Sequence, residues 1–311
     1  MKRYIFGIFA SIIMLFVACD NFDGEQEIPA YIRIRGFNLI QNPSWTEQNQ
    51  SVGFLSNEII DACVTVGSDT MQRFPLKTDG CLIPVLHTGD TKIIVQAGVK
   101  LNGIKTTRDY YPFYSALIKN VNLVEDSIID LGVIDIMYNP AMTKIRLNEE
   151  FEDSYVAFKE VRIDTILNVM QKTERNDSVK YGNYCGAMYM NTNTESYKMI
   201  CKDSIYYTNT AGAILEIDYH ANIPFEIGIY GNYDGTGTYK YISAMGLNPN
   251  ASNNVENYNN EWKKIYVVLG KVWSQLGYPS YFRFYFEPSN PNKISNGWVH
   301  IDNVKLVTYH D

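Results

Sequence analysis

Motifs of the common enzyme classes are missing from this sequence. It contains no HExxH metal motif, no GxSxG nucleophile elbow, no phosphate-binding loop and no glycine fingerprint for dinucleotides. Histidine is the side chain most often used as a general base. This chain has only four histidines, and they are scattered along it: His87, His220, His300 and His310. A non-catalytic protein is therefore the expectation.

Basic clusters are also missing. The chain has 27 lysines and arginines against 34 aspartates and glutamates, which gives a formal net charge of −7. Because nucleic-acid phosphates are negative, an acidic chain without a basic patch is not expected to bind nucleic acid. Beyond residue 18 no further long apolar run occurs, so we expect no membrane-spanning helix in the remainder.

Helical periodicity is missing as well, since no stretch keeps the apolar period of an α-helix over several turns. The apolar runs are short, rich in β-branched and aromatic residues, and separated by Gly, Asn, Asp and Pro, as in residues 225–230 and 299–307. These patterns predict an all-β protein with two β-sandwich domains. The first is Ig-like and covers residues 29–140, and the second covers residues 149–311.

The N-terminus has the features of a lipoprotein signal. Two basic residues precede an apolar run over residues 5–18, which is shorter than the roughly 20 residues that span a bilayer. Small Ala18 stands directly before Cys19, as in a lipobox. The sequence therefore predicts that residues 1–18 are a signal peptide, that cleavage precedes Cys19, and that lipid is attached to this cysteine. An ordinary secretory signal followed by a coincidental cysteine is the alternative.

The residues after Cys19 form a short acidic tether, residues 19–28. An acidic stretch directly after an acylated cysteine resembles the export signal of surface lipoproteins in Bacteroidota. The resemblance implies an outer-membrane lipoprotein that faces the cell surface and contacts the membrane through its N-terminal lipid. A tether that is only a solvated linker is the alternative.

Two segments of the first domain resemble a family of Bacteroidota envelope lipoproteins. They are IPAYIRI at residues 28–34 and GVKLNGIKTTRDYYPFY at residues 98–114. The resemblance implies a non-catalytic interaction subunit that docks on an outer-membrane β-barrel protein or complex, in protein assembly or transport. This is the first of two functional hypotheses.

The two ends of the second domain resemble a carbohydrate-binding-module jelly roll. Residues 151–153 (Phe-Glu-Asp) open it and residues 300–306 (His-Ile-Asp-Asn-Val-Lys-Leu) close it. In that fold the first and last strands lie together, which makes Glu152 and Asp302 candidate ligands of a structural Ca²⁺. A hydrogen bond from Asp302 to neighbouring backbone is the alternative, and no other cofactor is expected.

Tyrosine is abundant, with 24 residues, and four of them fall in one polar, glycine-rich region: Tyr230, Tyr233, Tyr239 and Tyr241. Aromatic rings beside Asn and Asp suit stacking on sugar rings, and they also suit protein interfaces. Tyrosines that only fill or edge the sandwich are the alternative. The second hypothesis is therefore a surface glycan-binding lipoprotein that uses the jelly roll.

Four cysteines remain after Cys19. Cys63 and Cys81 lie in the first half and Cys185 and Cys201 in the second, so one disulfide in each half and buried free thiols are both open. No CxxC spacing occurs, which gives no support for a zinc site.

A short triplet, Asp followed by Ser or Thr and an apolar residue, recurs along the chain. It resembles the O-glycosylation site of Bacteroidota envelope proteins, although Asp-Ser and Asp-Thr pairs also open strands after turns. The candidate acceptors are Thr70, Ser127, Thr165, Ser178 and Ser204.

Overall fold

We analysed a computed structural model of the chain. The structure describes residues 27–47, 51–162, 165–174, 181–194, 197–206, 212–233, 235–251, 262–277, 279 and 281–310. The signal peptide, Cys19, most of the tether and Ser178 lie outside the described residues, so the predictions made for them stay predictions. Within the described residues no helix is both long and apolar enough to cross a membrane.

Among its described residues, the first sandwich contains ten strands, one short α-helix and one 3-10 turn at Lys105–Thr107. The strands form because apolar and polar residues alternate along short segments separated by turns. Its elements are β1 (Ala30–Ile34), β2 (Gly36–Leu39), α1 (Pro43–Glu47), β3 (Asp61–Val66), β4 (Gln72–Pro75), β5 (Cys81–Val85), β6 (Gly89–Lys100), β7 (Arg108–Tyr110), β8 (Leu117–Leu123), β9 (Ile128–Asp130) and β10 (Val133–Ile136).

The strands of the first sandwich form two layers. One layer contains β5, β1 and β9 in that order, and the strands β2 and β10 continue beyond it; the other contains β4, β3, β6 and β7, with β8 beside β6. β1 pairs antiparallel with β5 and parallel with β9. Inward-facing residues of both layers, such as Ile32, Val64 and Val95, are buried in one core.

The second sandwich contains twelve strands and one short helix among the described residues. Its elements are β11 (Thr143–Glu149), β12 (Phe158–Arg162), β13 (Thr165–Val169), β14 (Gln171–Glu174), β15 (Tyr184–Met190), β16 (Lys198–Cys201), β17 (Ile214–Ala221), β18 (Phe225–Tyr233), β19 (Thr238–Leu247), β20 (Lys263–Val268), α2 (Gly270–Gln275), β21 (Phe282–Pro288) and β22 (Gly297–Tyr309).

Two six-stranded sheets enclose the core of the second sandwich. One has the order β14-β15-β22-β17-β20 with β11 beside β22, and the other has the order β13-β12-β16-β21-β18-β19. The prediction of an all-β protein built of sandwiches is confirmed. The predicted start of the second domain at residue 149 is too late, however, because Thr143–Glu149 already pairs with β22. The first and last strands of this domain do lie together, as expected.

The two sandwiches share a buried interface. The outer face of the β22-β17-β20 region lies against the first sandwich, and Ile214, Tyr266 and Val307 pack into the core of the first domain. The backbone N–H of Asn102 donates to the Tyr266 carbonyl at 2.7 Å, and the Asn102 side chain accepts from the N–H of Val268 at 2.8 Å. The residues 98–114 segment therefore contributes directly to the contact between the domains.

A buried ionic network lies at the centre of this interface. Glu216 on β17 forms an ion pair with Lys264 on β20 at 2.9 Å, and both side chains are almost completely buried. The hydroxyl of Tyr138, from the first sandwich, donates to both Glu216 oxygens at 2.9 Å, and the hydroxyl of Tyr111 donates as well. Burial opposes the charge on Glu216, but Lys264, Lys305 and Tyr111 outweigh it and lower the pKa of this carboxyl.

The segment before β3 lies over the same sheet face. Ser56 donates to Asp218 at 2.7 Å, and the Asn303 side chain donates to the other Asp218 oxygen at 2.6 Å. Lys305 donates to the carbonyl of Phe54. Backbone of the first sandwich thus contributes partners for charges that belong to the second.

Lys305 gives the interface a testable pH dependence. Burial and the nearby charge of Lys264 lower the pKa of Lys305 from 10.5 to about 8. Between these two values the unfolded chain binds more protons than the folded one, so this group makes the free energy of unfolding rise with pH. We therefore compare the free energy of unfolding of wild type with that of Lys305→Met, measured by urea titration. We expect the difference, wild type minus variant, to rise by about 1–3 kcal/mol between the folded and unfolded pKa values of Lys305.

The exposed Lys119→Met variant controls for the loss of a lysine. Its free energy of unfolding should differ from that of wild type by the same amount at every pH in this range. An unchanged difference for Lys305→Met would contradict the assignment of a buried lysine with a lowered pKa.

The four described cysteines are free thiols. Burial raises the pKa of Cys63 and of Cys201 to about 12. Of the two alternatives that the sequence left open, the structure has buried or partly buried free thiols and no disulfide among the described residues.

Candidate functional site

Five tyrosines lie on the outer side of the β21-β18-β19 region, and we call them the tyrosine surface: Tyr230, Tyr239, Tyr241, Tyr281 and Tyr285. Tyr285 is buried beneath its neighbours, with 2% of its surface exposed. The Tyr230 and Tyr241 rings stack with centroids 4.5 Å apart, and Tyr230 and Tyr239 lie 5.4 Å apart. Tyr241 meets Tyr285 edge-on at 5.2 Å, and the hydroxyls of Tyr239 and Tyr281 are hydrogen-bonded. The rings therefore form one continuous aromatic surface.

Strand alternation explains why these rings face outward. In β18, Ile227 and Ile229 enter the core, which leaves Tyr230 on the outer face, directly opposite Tyr241 of β19. Tyr233 is different, because it packs against the domain core and Lys240 lies over its ring at 3.4 Å. The prediction that Tyr233 belongs to the same surface is therefore corrected, whereas Tyr230, Tyr239 and Tyr241 are brought together.

Gly228 makes room for one ring of this surface. A Cβ atom at Gly228 would lie 2.4 Å from the Tyr285 ring, so only glycine allows the ring to lie across the strand here. The Tyr285 hydroxyl donates to Glu226 at 2.5 Å. Burial and this hydrogen bond raise the pKa of Tyr285, which keeps its hydroxyl protonated.

A polar groove continues from the tyrosine surface at the end of the sandwich. It has a volume of about 670 Å³, within the range of small-ligand sites, and both Glu226 and Glu287 line it. Lys198 forms an ion pair with Glu287 at 2.5 Å, and the same ammonium lies 5.0 Å from the centre of the Tyr241 ring. Amide and hydroxyl side chains line the rest of the groove: Asn191, Thr192, Thr194, Asn248, Ser289 and Asn290.

A second group of rings lies on the outer face of the other sheet, and we call it the ring band. Trp298 stacks on His300 with centroids 4.5 Å apart, and His220 meets Trp298 edge-on at 4.8 Å. Tyr189 lies 6.1 Å from His300, and Trp262 lies 6.0 Å from His220. Two of the four histidines are therefore packing partners of aromatic rings.

The two candidate calcium ligands have different partners. Glu152 accepts hydrogen bonds from the backbone N–H groups of Asn183 and Tyr184, at 2.7 and 2.9 Å. Asp302 is buried and accepts from the N–H of Asn303 at 2.7 Å. Within the described part of the chain, no group of three or more Asp, Glu, His or Cys residues could hold a metal ion. The calcium site stays a prediction.

The candidate glycosylation acceptors differ in accessibility. Thr70 is exposed, whereas Ser127 and Ser204 are partly buried. The Ser127 hydroxyl donates to the carbonyl of Val124 at 2.5 Å, and Ser204 accepts from Arg283 at 3.2 Å. Thr165 is the first residue of β13. Modification at these residues stays a prediction.

No family model matches the chain, and no curated protein matches it. Solved structures with some similarity include the CBM22-1–GH10 modules of a Clostridium thermocellum endo-1,4-β-D-xylanase with xylohexaose (9% identity, TM-score 0.35). This match covers 54% of this chain and only 28% of the xylanase chain.

In two further matches, the similarity to this chain extends over almost the whole of a single module. The family 30 carbohydrate-binding module of a Clostridium thermocellum cellulosomal cellulase is 10% identical over 54% of this chain and 94% of that module, with a TM-score of 0.35. The K3 adhesin domain of Lys-gingipain from Porphyromonas gingivalis W83 is 14% identical over 53% of this chain and 98% of that domain, with a TM-score of 0.34. Similarity of this degree does not indicate what this chain binds.

Proposed function

We propose that the second sandwich is a non-catalytic glycan-binding domain and that the tyrosine surface is its binding site. We also propose that lipid on Cys19 anchors the protein to the outer membrane, on the cell-surface side. This is the second of the two hypotheses drawn from the sequence. The observation that carries it is the continuity of the tyrosine surface with the polar groove.

The tyrosine surface has the chemistry that a sugar chain requires. Sugar rings have apolar C–H faces and hydroxyl edges, so they bind where an aromatic face lies beside hydrogen-bonding groups. Tyr239 is 44% exposed, and Tyr230, Tyr239 and Tyr241 form an array in which the Tyr230 ring makes interplanar angles of 30° with Tyr239 and 28° with Tyr241. Glu226, Glu287 and the groove amides supply acceptors and donors at one end of that array. An extended oligosaccharide fits this arrangement better than a compact ligand.

The test is glycan-array binding followed by calorimetry with the full chain and its best oligosaccharide ligand. Removal of one exposed ring should weaken binding about threefold to tenfold, and the Tyr239→Ala/Tyr241→Ala double variant should weaken it more than either single change. Tyr239→Phe keeps the ring and should bind nearly as wild type does.

Exposed Tyr155 provides a matched control, because it lies outside the tyrosine surface and contacts Asp203 instead. Tyr155→Ala should bind as wild type does. A blank array, or equal losses in the Tyr155 and Tyr239 variants, would refute the proposal. If only Trp298→Ala weakens binding, the site is the ring band and not the tyrosine surface.

The interaction-subunit hypothesis stays a prediction. Among the described residues we find no feature that is specific for an outer-membrane β-barrel partner. The residues 98–114 segment, which carried that hypothesis, contributes Asn102, Tyr111 and Tyr114 to contacts inside the molecule.

A further inference from the structure

The exposed hydrophobic side chains of the two sandwiches differ in kind. In the first domain, aliphatic residues dominate this set, whereas beyond residue 149 every large exposed hydrophobic residue that the structure describes is a tyrosine. Tyrosine carries a hydroxyl that suits contact with polar ligands. An exposed aliphatic side chain has no such group, and its contacts are favourable only because they remove apolar surface from water. The exposed aliphatic residues are Ile28, Leu82, Leu86, Ile104, Ile118, Val124, Ile128, Val133 and Met142.

Several of these side chains lie on one face of the first sandwich. Leu82, Pro84 and Leu86 alternate along one side of β5 and the residue after it, whereas Ile83 and Val85 enter the core. The strand pairing places Tyr31 of β1 between Pro84 and Ile128 of β9. We call Tyr31, Leu82, Pro84, Leu86 and Ile128 the apolar face. Arg33, which pairs with Leu82 on one side and Asp130 on the other, borders it on the same side of the sheet.

Exposure along the apolar face is high for aliphatic residues. Leu82, Leu86 and Ile128 are 46%, 61% and 49% exposed. The face is also small: a stable protein–protein interface buries about 1,200–2,000 Å² in total, which needs more surface than these five side chains supply. A weak apolar contact can nevertheless persist where a tether holds the two surfaces close together.

The tether ends at this face. β1 begins at Ala30, so only residues 20–29 separate Cys19 from the first strand. Fully extended, such a segment spans about 35 Å, which is comparable to the thickness of one bilayer. An acylated Cys19 therefore keeps the start of β1 within about 35 Å of the lipid surface.

We propose that the apolar face rests on the lipid surface and inserts Leu82, Leu86 and Ile128 among the lipid headgroups. This inference uses the acylation of Cys19 proposed above and does not depend on glycan binding. The lipid anchor supplies the attachment, and the apolar face supplies the orientation. The first sandwich then meets the membrane through β1, β5 and β9 instead of tumbling on its tether.

The test places a photo-crosslinking amino acid, benzoylphenylalanine, at position 86 of the acylated full chain. Ile118 is the matched control, because it is also 61% exposed but lies on β8 in the opposite layer. The protein is reconstituted in vesicles of phosphatidylethanolamine and phosphatidylglycerol and irradiated, and lipid adducts are quantified by mass spectrometry. We expect at least fivefold more lipid adduct at position 86 than at position 118.

Equal yields at the two positions would overturn the proposal. So would adducts at position 86 with a protein instead of lipid when the experiment is repeated in native outer membrane, because that outcome identifies the face as a protein-docking surface. The mass of the N-terminal peptide reports acylation independently, and the readout uses no glycan. Failure here is therefore distinguishable from failure of the glycan-binding proposal.

Discussion

Replacing Glu216 with alanine is expected to lower the free energy of unfolding by about 3–5 kcal/mol. The carboxylate is completely buried, and it is the partner of Lys264 and of two tyrosine hydroxyls from the first sandwich. Its removal leaves the Lys264 ammonium buried without its ion-pair partner and leaves two hydroxyls to find new acceptors. Urea unfolding followed by tryptophan fluorescence measures the loss.

The expected loss arises from the orphaned charge, not from the missing atoms, and a double variant separates the two causes. Glu216→Leu/Lys264→Met removes both charges while keeping apolar volume, and it should be clearly more stable than Glu216→Ala. Equal stability of the single and double variants would contradict this explanation. Because Glu216 also accepts hydrogen bonds from two tyrosines of the first sandwich, we also expect Glu216→Ala to broaden the transition or split it into two steps.

Trp45→Ala is expected to cost a similar amount, about 3–5 kcal/mol. Trp45 lies in α1 and is fully buried, and its indole N–H donates to the carbonyl of Tyr138 at 3.1 Å. The hydroxyl of the same Tyr138 reaches Glu216. The large cavity left by alanine should therefore destabilise the first sandwich and also loosen the tyrosine that faces the ionic network.

Trp45→Phe distinguishes packing from hydrogen bonding, because it keeps most of the ring and removes only the donor. We expect a loss of about 1–2 kcal/mol for phenylalanine, measured by the same urea titrations. If phenylalanine costs as much as alanine, the hydrogen bond to Tyr138, and not the buried ring, is the main contribution of Trp45.

The strands could be predicted because their signal is local. Residues 225–230 and 299–307 alternate apolar and polar side chains, and both lie inside strands of the structure. The Asn102-Gly103 turn was equally readable, since both residues take a positive φ. It opens a longer connection over residues 101–107, however, and is not a two-residue hairpin. The start of the second domain was misplaced because β11 is defined by its pairing with β22, which is far away in sequence.

The domain interface could not be predicted from the same patterns. Glu216, Lys264 and Lys305 sit at polar positions of three alternating strands, and such positions normally face solvent. Here the first sandwich covers that face, so the polar positions became a buried network. Nothing within each strand distinguishes a polar residue that meets water from one that meets another domain.

The candidate site was predictable in part for a related reason. Tyr230, Tyr239 and Tyr241 come from one hairpin, so their proximity follows from sequence alone. Tyr281 and Tyr285 join them from the β21 segment. Alternation with Phe282 and Phe284 predicts that both rings face outward, but it does not predict that β21 lies beside β18. The ring band was missed entirely, since its members come from four different strands or strand entrances.

The position of β1 has a mechanical consequence. A pull on the residues before Ala30, balanced by a load on the second sandwich, acts along the axis of β1 and across its hydrogen bonds to β5 and β9. In this shear geometry the bonds on both sides of the strand must rupture together, whereas a peeling force would open them one at a time. Under the proposed attachment at Cys19, the first sandwich would therefore resist tension along β1.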